Sequence, residues 1–328
     1  MDIEYLLLLQ NFREGTDNVL TPLMMRISEF IIGIIPLLVV AMVYWVFSRK
    51  AGAWILLNVS GSYWLNGILK LTACVYRPWI RDPRVVPAEA AIASATGYSF
   101  PSGHAAFATA YYGCGALCCW KQKKTRAVSV VMVLLLTATM FSRNYLGVHT
   151  PQDVLVGFLA SALFMLASIW LFRWMEAGDR KRDVLVLAGG LCLMALSMVY
   201  IMVKPYPMDD VNGALLVDPE KMKPDTISGI TATAAWLIGW FLERRRIRFE
   251  NPADKRKGLV VGALACVPIV LWFMWFPGFA VPVIGKIGVK ALLQSVPMLY
   301  ILTVVPMLLK KLAPAPRAAQ WQREETIL

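Results

Sequence analysis

Long apolar runs alternate with short charged segments along the whole chain. Nine of these runs approach the roughly 20 residues that a helix needs to cross a bilayer core of about 30 Å. We predict membrane-spanning helices at residues 27–47, 52–75, 102–120, 127–143, 152–172, 184–203, 226–242, 258–276 and 289–309. The expected fold class is therefore all-α, in a polytopic integral membrane protein.

The composition supports this interpretation, because 58% of the residues are hydrophobic and only 16% are charged. The first 26 residues are too polar and charged for a cleavable signal peptide, so we expect none. The six cysteines lie in or beside apolar runs without metal-ligand spacing, and we interpret them as small core residues: Cys74, Cys114, Cys118, Cys119, Cys192 and Cys266. We expect no metal site and no cofactor.

Lysine and arginine are distributed unevenly over the connecting segments. The segments that follow the odd-numbered spans hold 21 of the 33 basic residues, and the rest of the chain holds 12. The basic segments lie within 49–50, 121–126, 173–182, 244–257 and 310–323. The positive-inside rule makes them cytoplasmic, with the N-terminus outside and the C-terminus in the cytoplasm. The net charge of +12 is thus a topology signal, and we expect no nucleic-acid partner.

Three cations lie within or at the ends of predicted spans, namely Lys70, Arg77 and Arg143. An unpaired cation at that depth costs at least a few kcal/mol, which makes each a candidate for a functional role. Seven residues separate Lys70 from Arg77, about two helical turns, so we expect both side chains on one helical face. We expect Pro78 to end that helix.

The only two histidines of the chain occur in two further polar motifs at predicted span ends. The first motif is Pro-Ser-Gly-His at 101–104, with Ser102 as the expected helix cap. The second is SRNYLGVHTPQD at 142–153, in which Thr150 should cap a helix that has Pro151 in its first turn. Asp153 then lies close enough to reach His149.

All three motif-bearing segments are predicted on the outer surface, where cations, helix N-termini, histidines and a carboxylate would converge. Such a site suits phosphate, because arginine binds it bidentately, lysine adds a point charge and backbone amides donate further hydrogen bonds. The histidines add a nucleophile and a proton donor, which a phosphate transporter would not require.

The three motifs together resemble the signature of the type-2 phosphatidic acid phosphatase superfamily: Lys-x6-Arg-Pro, Pro-Ser-Gly-His and Ser-Arg-x5-His-x3-Asp. The resemblance covers roughly residues 27–173 and implies a metal-independent phosphatase. It implies that His149 attacks phosphorus, Asp153 orients its imidazole and His104 protonates the leaving oxygen. It implies phosphate binding by Lys70, Arg77, Ser102, Gly103 and Arg143.

The nine-span layout, with the first motif in the second span, resembles the glucose-6-phosphatase branch of that superfamily. We expect a catalytic membrane core at 1–175 and a four-helix extension with a cytoplasmic tail at 176–328. The extension contains a segment, 225–244, that echoes 153–173, and an acidic, proline-rich loop, 205–225, that is either a lid or a solvated connection.

The expected substrate is a lipid phosphate or a polyprenyl (di)phosphate such as undecaprenyl diphosphate, and the expected partners are membrane lipids. The expected location is the bacterial plasma (inner) membrane, with the active site facing outside. Three alternatives stay open at this point: a soluble sugar-phosphate phosphatase, a lipid phosphotransferase and a non-catalytic phosphate-binding transporter.

Overall fold

The structure is a computed structural model that describes residues 2–95, 97–178, 180–211 and 214–315, and of Arg180 and Ala214 the backbone alone. It is 81% helical, which confirms the all-α fold class. Within these ranges the β structure is one short antiparallel pair, β1 (Asp210–Val211) and β2 (Ala214–Leu215), with Asp210 opposite Leu215.

Fourteen α-helices follow one another along the described chain. They are α1 (Asp2–Gly15), α2 (Thr21–Ile32), α3 (Ile34–Met42), α4 (Arg49–Ala73), α5 (Pro78–Arg81), α6 (Glu89–Ile92), α7 (Gly103–Ala108), α8 (Cys114–Trp120), α9 (Arg126–Tyr145), α10 (Pro151–Glu176), α11 (Arg180–Val203), α12 (Lys223–Leu242), α13 (Lys255–Leu299) and α14 (Val305–Leu312). Short π-helical turns follow α3, α7, α12 and α13, at Val43–Phe47, Thr109–Gly113, Glu243–Ile247 and Tyr300–Val304.

Membrane-length helices are present, as the sequence predicts. Among the described residues, four helical stretches are long and apolar enough to span a bilayer: Lys123–Tyr145, Pro151–Glu176, Lys181–Val203 and Lys255–Leu312. The bent pair of α2 with α3 and the π turn after it brings the number to five. The count of nine spans and the orientation of the termini stay predictions, and the predicted cytoplasmic residues Arg317 and Arg323 lie outside the described ranges.

Two predicted spans are helical but differ from uniform apolar rods. The span at 52–75 falls on α4, whose interior buries the polar residues Asn58, Ser60, Ser62 and Asn66, and this polarity lowers its hydropathy. The span at 102–120 is divided by the π turn between α7 and α8. Both departures occur in helices that carry motif residues.

The sequence places a loop between spans 258–276 and 289–309, whereas the structure continues the helix through most of it. Only Gly285 leaves the helical conformation, with φ +68°, a left-handed value that glycine adopts without steric cost. The connection between these two predicted spans is therefore shorter than their predicted bounds indicate, and its break lies at a single glycine.

Helix α4 ends earlier than the sequence predicts. Its last residue is Ala73, and Cys74 takes a left-handed conformation with φ +50°. Arg77 therefore follows in extended backbone rather than on the helical face of Lys70, and Pro78 begins α5 instead of ending α4. The prediction of a shared helical face is wrong because the helix ends four residues before Arg77.

The described chain forms two compact units. The first contains 1–33, 62–164 and 200–226, and every predicted site residue lies in it. The second contains 34–61, 165–199 and 227–328. The functional division at 175 stays a prediction, since it concerns which part of the chain is catalytic.

The N-terminal segment of the first unit forms α1, a helix that was not predicted from the sequence. Its Arg13 is only 3% exposed and donates from Nη1 to the carbonyl of Tyr145 (3.2 Å) and from Nη2 to that of Val86 (2.6 Å). Around it, an apolar cluster joins α2, α6 and the end of α9: Met25, Ala88, Ala91, Ala95, Tyr145, Leu146 and Val148. This packing fixes the loop that leads from Arg143 to His149.

The second unit is held by buried tryptophans and an ion pair. The indole N–H of Trp45 donates to the carbonyl of Ile301 (2.9 Å), and that of Trp236 donates to Ala53 (3.0 Å). Arg49 pairs with the fully buried carboxylate of Glu243 at 2.8 Å. These contacts stabilise the second unit, and they involve none of the predicted site residues.

Candidate active site

The loop between α9 and α10 is fixed by local hydrogen bonds. Gly147, at φ +72°, turns the chain after α9, and the Asn144 side-chain amide donates to the carbonyl of His149 (2.9 Å). The Thr150 N–H donates to Oδ2 of Asp153 (2.8 Å), while the Asp153 N–H donates to the Thr150 hydroxyl (3.3 Å). This reciprocal pair resembles a capping box and confirms the predicted start of α10.

Asp153 and His149 lie together as the sequence predicts. The carboxylate Oδ2 of Asp153 is 3.5 Å from Nδ1 of His149, and both side chains are almost fully buried. Ser99, a residue that the motifs do not include, donates its hydroxyl to the same Oδ2 at 2.5 Å and lies 3.4 Å from His149 Nδ1. The carboxylate is thus oriented by a serine, a backbone amide and the imidazole.

Arg77 reaches the other side of the imidazole. Its Nη1 is 3.0 Å from Nε2 of His149 and also donates to the carbonyl of Val148 (2.8 Å). A guanidinium has donors and no acceptor, so Nε2 must be the unprotonated nitrogen of a neutral ring. The proton then lies on Nδ1, facing Asp153, and the Nε2 lone pair faces Arg77.

The segment that precedes the Pro-Ser-Gly-His motif brings the cations close to the histidine. Lys70 Nζ donates to the carbonyls of Tyr98 (3.0 Å) and Ser99 (3.2 Å), and Arg77 Nε donates to the carbonyl of Gly97 (3.0 Å). Thus three consecutive carbonyls accept from the two cations of the first motif, although these cations do not share a helical face.

The second and third motifs are in direct backbone contact. The Ser102 N–H donates to the carbonyl of Asp153 at 2.8 Å. One turn later, Gly157 of α10 lies so close to the Ser102 backbone that a Cβ at Gly157 would overlap the Ser102 carbonyl. The side-chain amide of Asn66 donates to the Pro101 carbonyl (3.3 Å), and a Cβ added at Gly103, the first residue of α7, would lie 3.4 Å from Asn66 Oδ1.

Ser102 is the N-cap residue of α7, as predicted, but its hydroxyl makes no capping hydrogen bond. Over the described chain, three motif residues keep buried polar atoms without a partner: Ser102 Oγ, His104 Nε2, and Nε and Nη2 of Arg143. The remaining Arg143 nitrogen, Nη1, donates to Ser28 of α2 at 2.5 Å. An unpaired buried polar group costs about 1–3 kcal/mol, so four such atoms suit a ligand rich in acceptor oxygens.

The environment of His149 favours its neutral form. Burial is the largest cause and lowers the pKa of His149 well below 6.5, and the nearby cations Arg77, Arg143 and Lys70 lower it further. Burial also lowers the pKa of Arg77 to about 10, which leaves that side chain cationic at neutral pH. A neutral imidazole among cations is a poor base and an available nucleophile.

The structure brings the predicted residues together from separate motifs. His149, Asp153, Lys70 and Arg77 are joined through residues 97–99, and Ser102 joins them through the Asp153 backbone. Four polar residues of the site lie outside the motifs and were not predicted: Ser99, Asn66, Asn144 and Ser28. Their only sequence signal is a polar side chain inside or beside an apolar run.

In the ranges that the structure covers, no group of three or more His, Cys, Asp or Glu side chains is placed to hold a metal ion.

A family model matches the part of the chain that carries these motifs. Residues 51–178 match the family model described as PAP2 superfamily. Over 76 residues the chain is 34% identical to proteins named phosphatidylglycerophosphatase B from Escherichia coli strain K12, E. coli O157:H7 and Shigella flexneri. The alignment covers 23% of this chain and 30% of each relative, so the chain spans less than a third of the relatives it matches.

No solved structure matches the chain. The family match nevertheless includes all three motifs, from Lys70 to Asp153, and the structure places them in one compact unit. The chain therefore carries a PAP2 superfamily domain at residues 51–178.

Proposed function

We propose that the protein is a membrane phosphatase that hydrolyses a lipid phosphate or a polyprenyl (di)phosphate through a phosphohistidine on His149. The observation that carries the proposal is the placement of the His149 ring between Asp153 at Nδ1 and Arg77 at Nε2. This placement leaves the proton on the carboxylate side and the lone pair on the side of the cations.

In the first step, the Nε2 lone pair attacks phosphorus and the bond from phosphorus to the leaving oxygen breaks. Arg77 gives up its contact with Nε2 and donates to a phosphoryl oxygen instead. His104, as an imidazolium ion, donates the proton that the leaving oxygen needs and becomes neutral. The products are the dephosphorylated alcohol, or a monophosphate if the substrate is a diphosphate, and the phosphoenzyme. Asp153 stabilises the positive charge that develops on the imidazole, as in other histidine–carboxylate pairs.

In the second step, water attacks phosphorus and the bond between phosphorus and Nε2 breaks. His104 accepts the proton of that water, which returns both histidines to their starting states and releases inorganic phosphate. The chemistry proposed for these residues requires no metal or cofactor. A second alcohol in place of water would make the same intermediate a phosphotransferase.

The phosphoryl oxygens would be held by Lys70, Arg77, Arg143, Ser102 and the backbone of Gly103. The described structure gives the N–H groups at Nε and Nη2 of Arg143 and the Ser102 hydroxyl no partner, which supports this assignment, since each would donate a hydrogen bond to a phosphoryl oxygen. Donors fixed in a water-poor site stabilise the charge of the transition state without reorganisation.

The helix that carries Asp153 supports a lipid substrate. Asp153 and Val154 of α10 are buried, whereas the next residue, Leu155, is 51% exposed and Leu159 is 44% exposed. On a membrane-length helix, such exposed leucines face acyl chains, so a lipid can keep its tail beside α10 and present its phosphate at the helix start. The relatives are also named for a phosphatase of a phospholipid. We place the site on the outer face of a bacterial plasma membrane, following the basic-residue distribution.

Phosphate release from a substrate panel tests the proposal. Purified protein in detergent should act on phosphatidate, phosphatidylglycerophosphate or undecaprenyl diphosphate faster than on glucose 6-phosphate, without loss on chelation and with inhibition by vanadate. Acid-labile phosphate should be trapped on the protein, and His149→Ala should trap none. Faster hydrolysis of glucose 6-phosphate would select the sugar-phosphate alternative, and activity in His149→Ala would reject the mechanism. Binding without turnover would indicate the non-catalytic alternative.

A further inference from the structure

Residues 97–99 are the junction through which the site residues contact one another. Their carbonyls accept from Arg77 and Lys70, and the Ser99 hydroxyl donates to Asp153. A displacement of this short segment would therefore move the partners of both cations and the orientation of the carboxylate at once. The contacts that residues 97–99 make on the side away from the site residues therefore affect how well the site is ordered.

Met222 makes these contacts, with Gly97 and Tyr98. The N–H of Tyr98 donates to the thioether sulfur of Met222 at 3.1 Å. Gly97 is left-handed, with φ +69°, and a Cβ there would overlap Sδ, Cε and Cγ of Met222. A methionine thus packs directly on the two residues that precede Ser99, and its sulfur serves as a weak acceptor.

Met222 belongs to a segment that follows the PAP2 domain in the chain, and this segment has its own anchors. The hydroxyl of Tyr76 donates to Asp209 at 2.6 Å, which ties the segment to the linker before Arg77. At the other end, Thr226 of α12 lies against Gly67 of α4, where a Cβ would overlap the threonine side chain. Met222 is therefore placed from both sides.

We propose that Met222 is a positioning residue for the active site, acting through Gly97–Ser99 on Asp153 and His149. This inference rests on the proposed function and extends it, because it makes residues 200–226 part of the catalytic unit although the family match ends at residue 178. Removal of the Met222 side chain frees the Gly97–Tyr98 backbone to relax, and Ser99 moves with it. A shift of about 1 Å in a catalytic constellation can reduce the rate by about 100-fold.

The test compares Met222→Ala with Met208→Ala, a matched control in the same segment whose side chain is 64% exposed. For Met222→Ala we expect kcat to fall between about 10-fold and 100-fold. The Met208→Ala enzyme should match the wild type. The ring signals of His149, assigned in histidine-labelled protein, should shift in Met222→Ala and not in Met208→Ala. An unchanged kcat together with unshifted His149 signals would overturn the proposal.

Two further outcomes separate this inference from the proposed function. If the wild type releases no phosphate from any substrate, the function fails, and the His149 signals alone decide whether Met222 positions the ring. If Met222→Ala does not fold, Met222→Leu replaces it, since leucine keeps the volume and removes the sulfur acceptor. A smaller shift in the same direction then supports the inference, and no shift overturns it.

Discussion

Arg77 donates to Nε2 of His149 at 3.0 Å, on the ring nitrogen opposite Asp153. The guanidinium thus occupies the lone pair that would attack phosphorus. An arriving phosphate offers Arg77 charged oxygen acceptors, which bind a guanidinium more strongly than a neutral imidazole does. In the proposed mechanism, anion binding would therefore release Nε2 of His149 for attack, and one side chain, Arg77, would couple the two events.

Arg77→Lys should reduce kcat/KM by about 100-fold, in the range observed when one donor of a charge-stabilising site is removed. Lysine keeps the charge but cannot contact Nε2, the Val148 carbonyl and the Gly97 carbonyl at the same time. The matched control is Arg84→Lys, because Arg84 is 60% exposed and pairs with Glu4 and Asp82 on the surface. Steady-state kinetics on both variants provide the measurement, and equal values for the two would contradict the role of Arg77.

Ser99→Ala should lower kcat by about tenfold, because a hydrogen bond to a charged group contributes about 1.5 kcal/mol. The change removes the hydroxyl that donates to Asp153 Oδ2 and leaves the Lys70 contact to the Ser99 carbonyl in place. Ser94→Ala serves as the control, since the Ser94 hydroxyl donates to the carbonyl of Ala91, three residues earlier. A wild-type kcat in Ser99→Ala would show that the carboxylate needs no serine.

His149 should stay neutral as the pH falls through 6.5. Its pKa is lowered by burial and by three nearby cations, so the neutral form persists into the acid range and is lost only below the lowered pKa. The chain has two histidines, so NMR of histidine-labelled protein gives two ring systems, and His104→Gln assigns them. A protonation midpoint at or above pH 6.5 for His149 would contradict the burial argument.

The predicted topology requires Glu89 and Lys123 to lie on opposite sides of the membrane. In protein without its six native cysteines, Glu89→Cys should react with an impermeant maleimide added to intact cells, and Lys123→Cys should not. Both positions are exposed in the structure, so a lack of labelling at Lys123 reports the membrane rather than burial. The labelling of lysed cells, where both should react, is the control, and the reverse pattern in intact cells contradicts the orientation.

Features that depend on residues close together in the chain, such as helix starts and apolar helices, were predicted from the sequence. The Thr150–Asp153 pair and the start of α10 follow from capping chemistry within four residues, and the apolar runs gave most helices. The prediction that Arg77 lies on a helix was wrong, because α4 ends where Cys74 takes a left-handed conformation. A cysteine does not indicate such a helix end in the sequence. Ser99 and Met222 were missed because their contacts join residues 54 and 124 positions apart, which no spacing rule reports.

The contact between Gly157 and the Ser102 backbone has a consequence for engineering. If a Pro-Ser-Gly-His segment from another protein replaced residues 101–104, it would have to pack against the α10 helix of this chain. Any side chain larger than hydrogen at position 157 would push that segment away from α10. Such a separation would also break the hydrogen bond from the Ser102 N–H to the Asp153 carbonyl. Residues 101–104 and 149–157 therefore form one transplantable module, and chimaeras should move them as a pair.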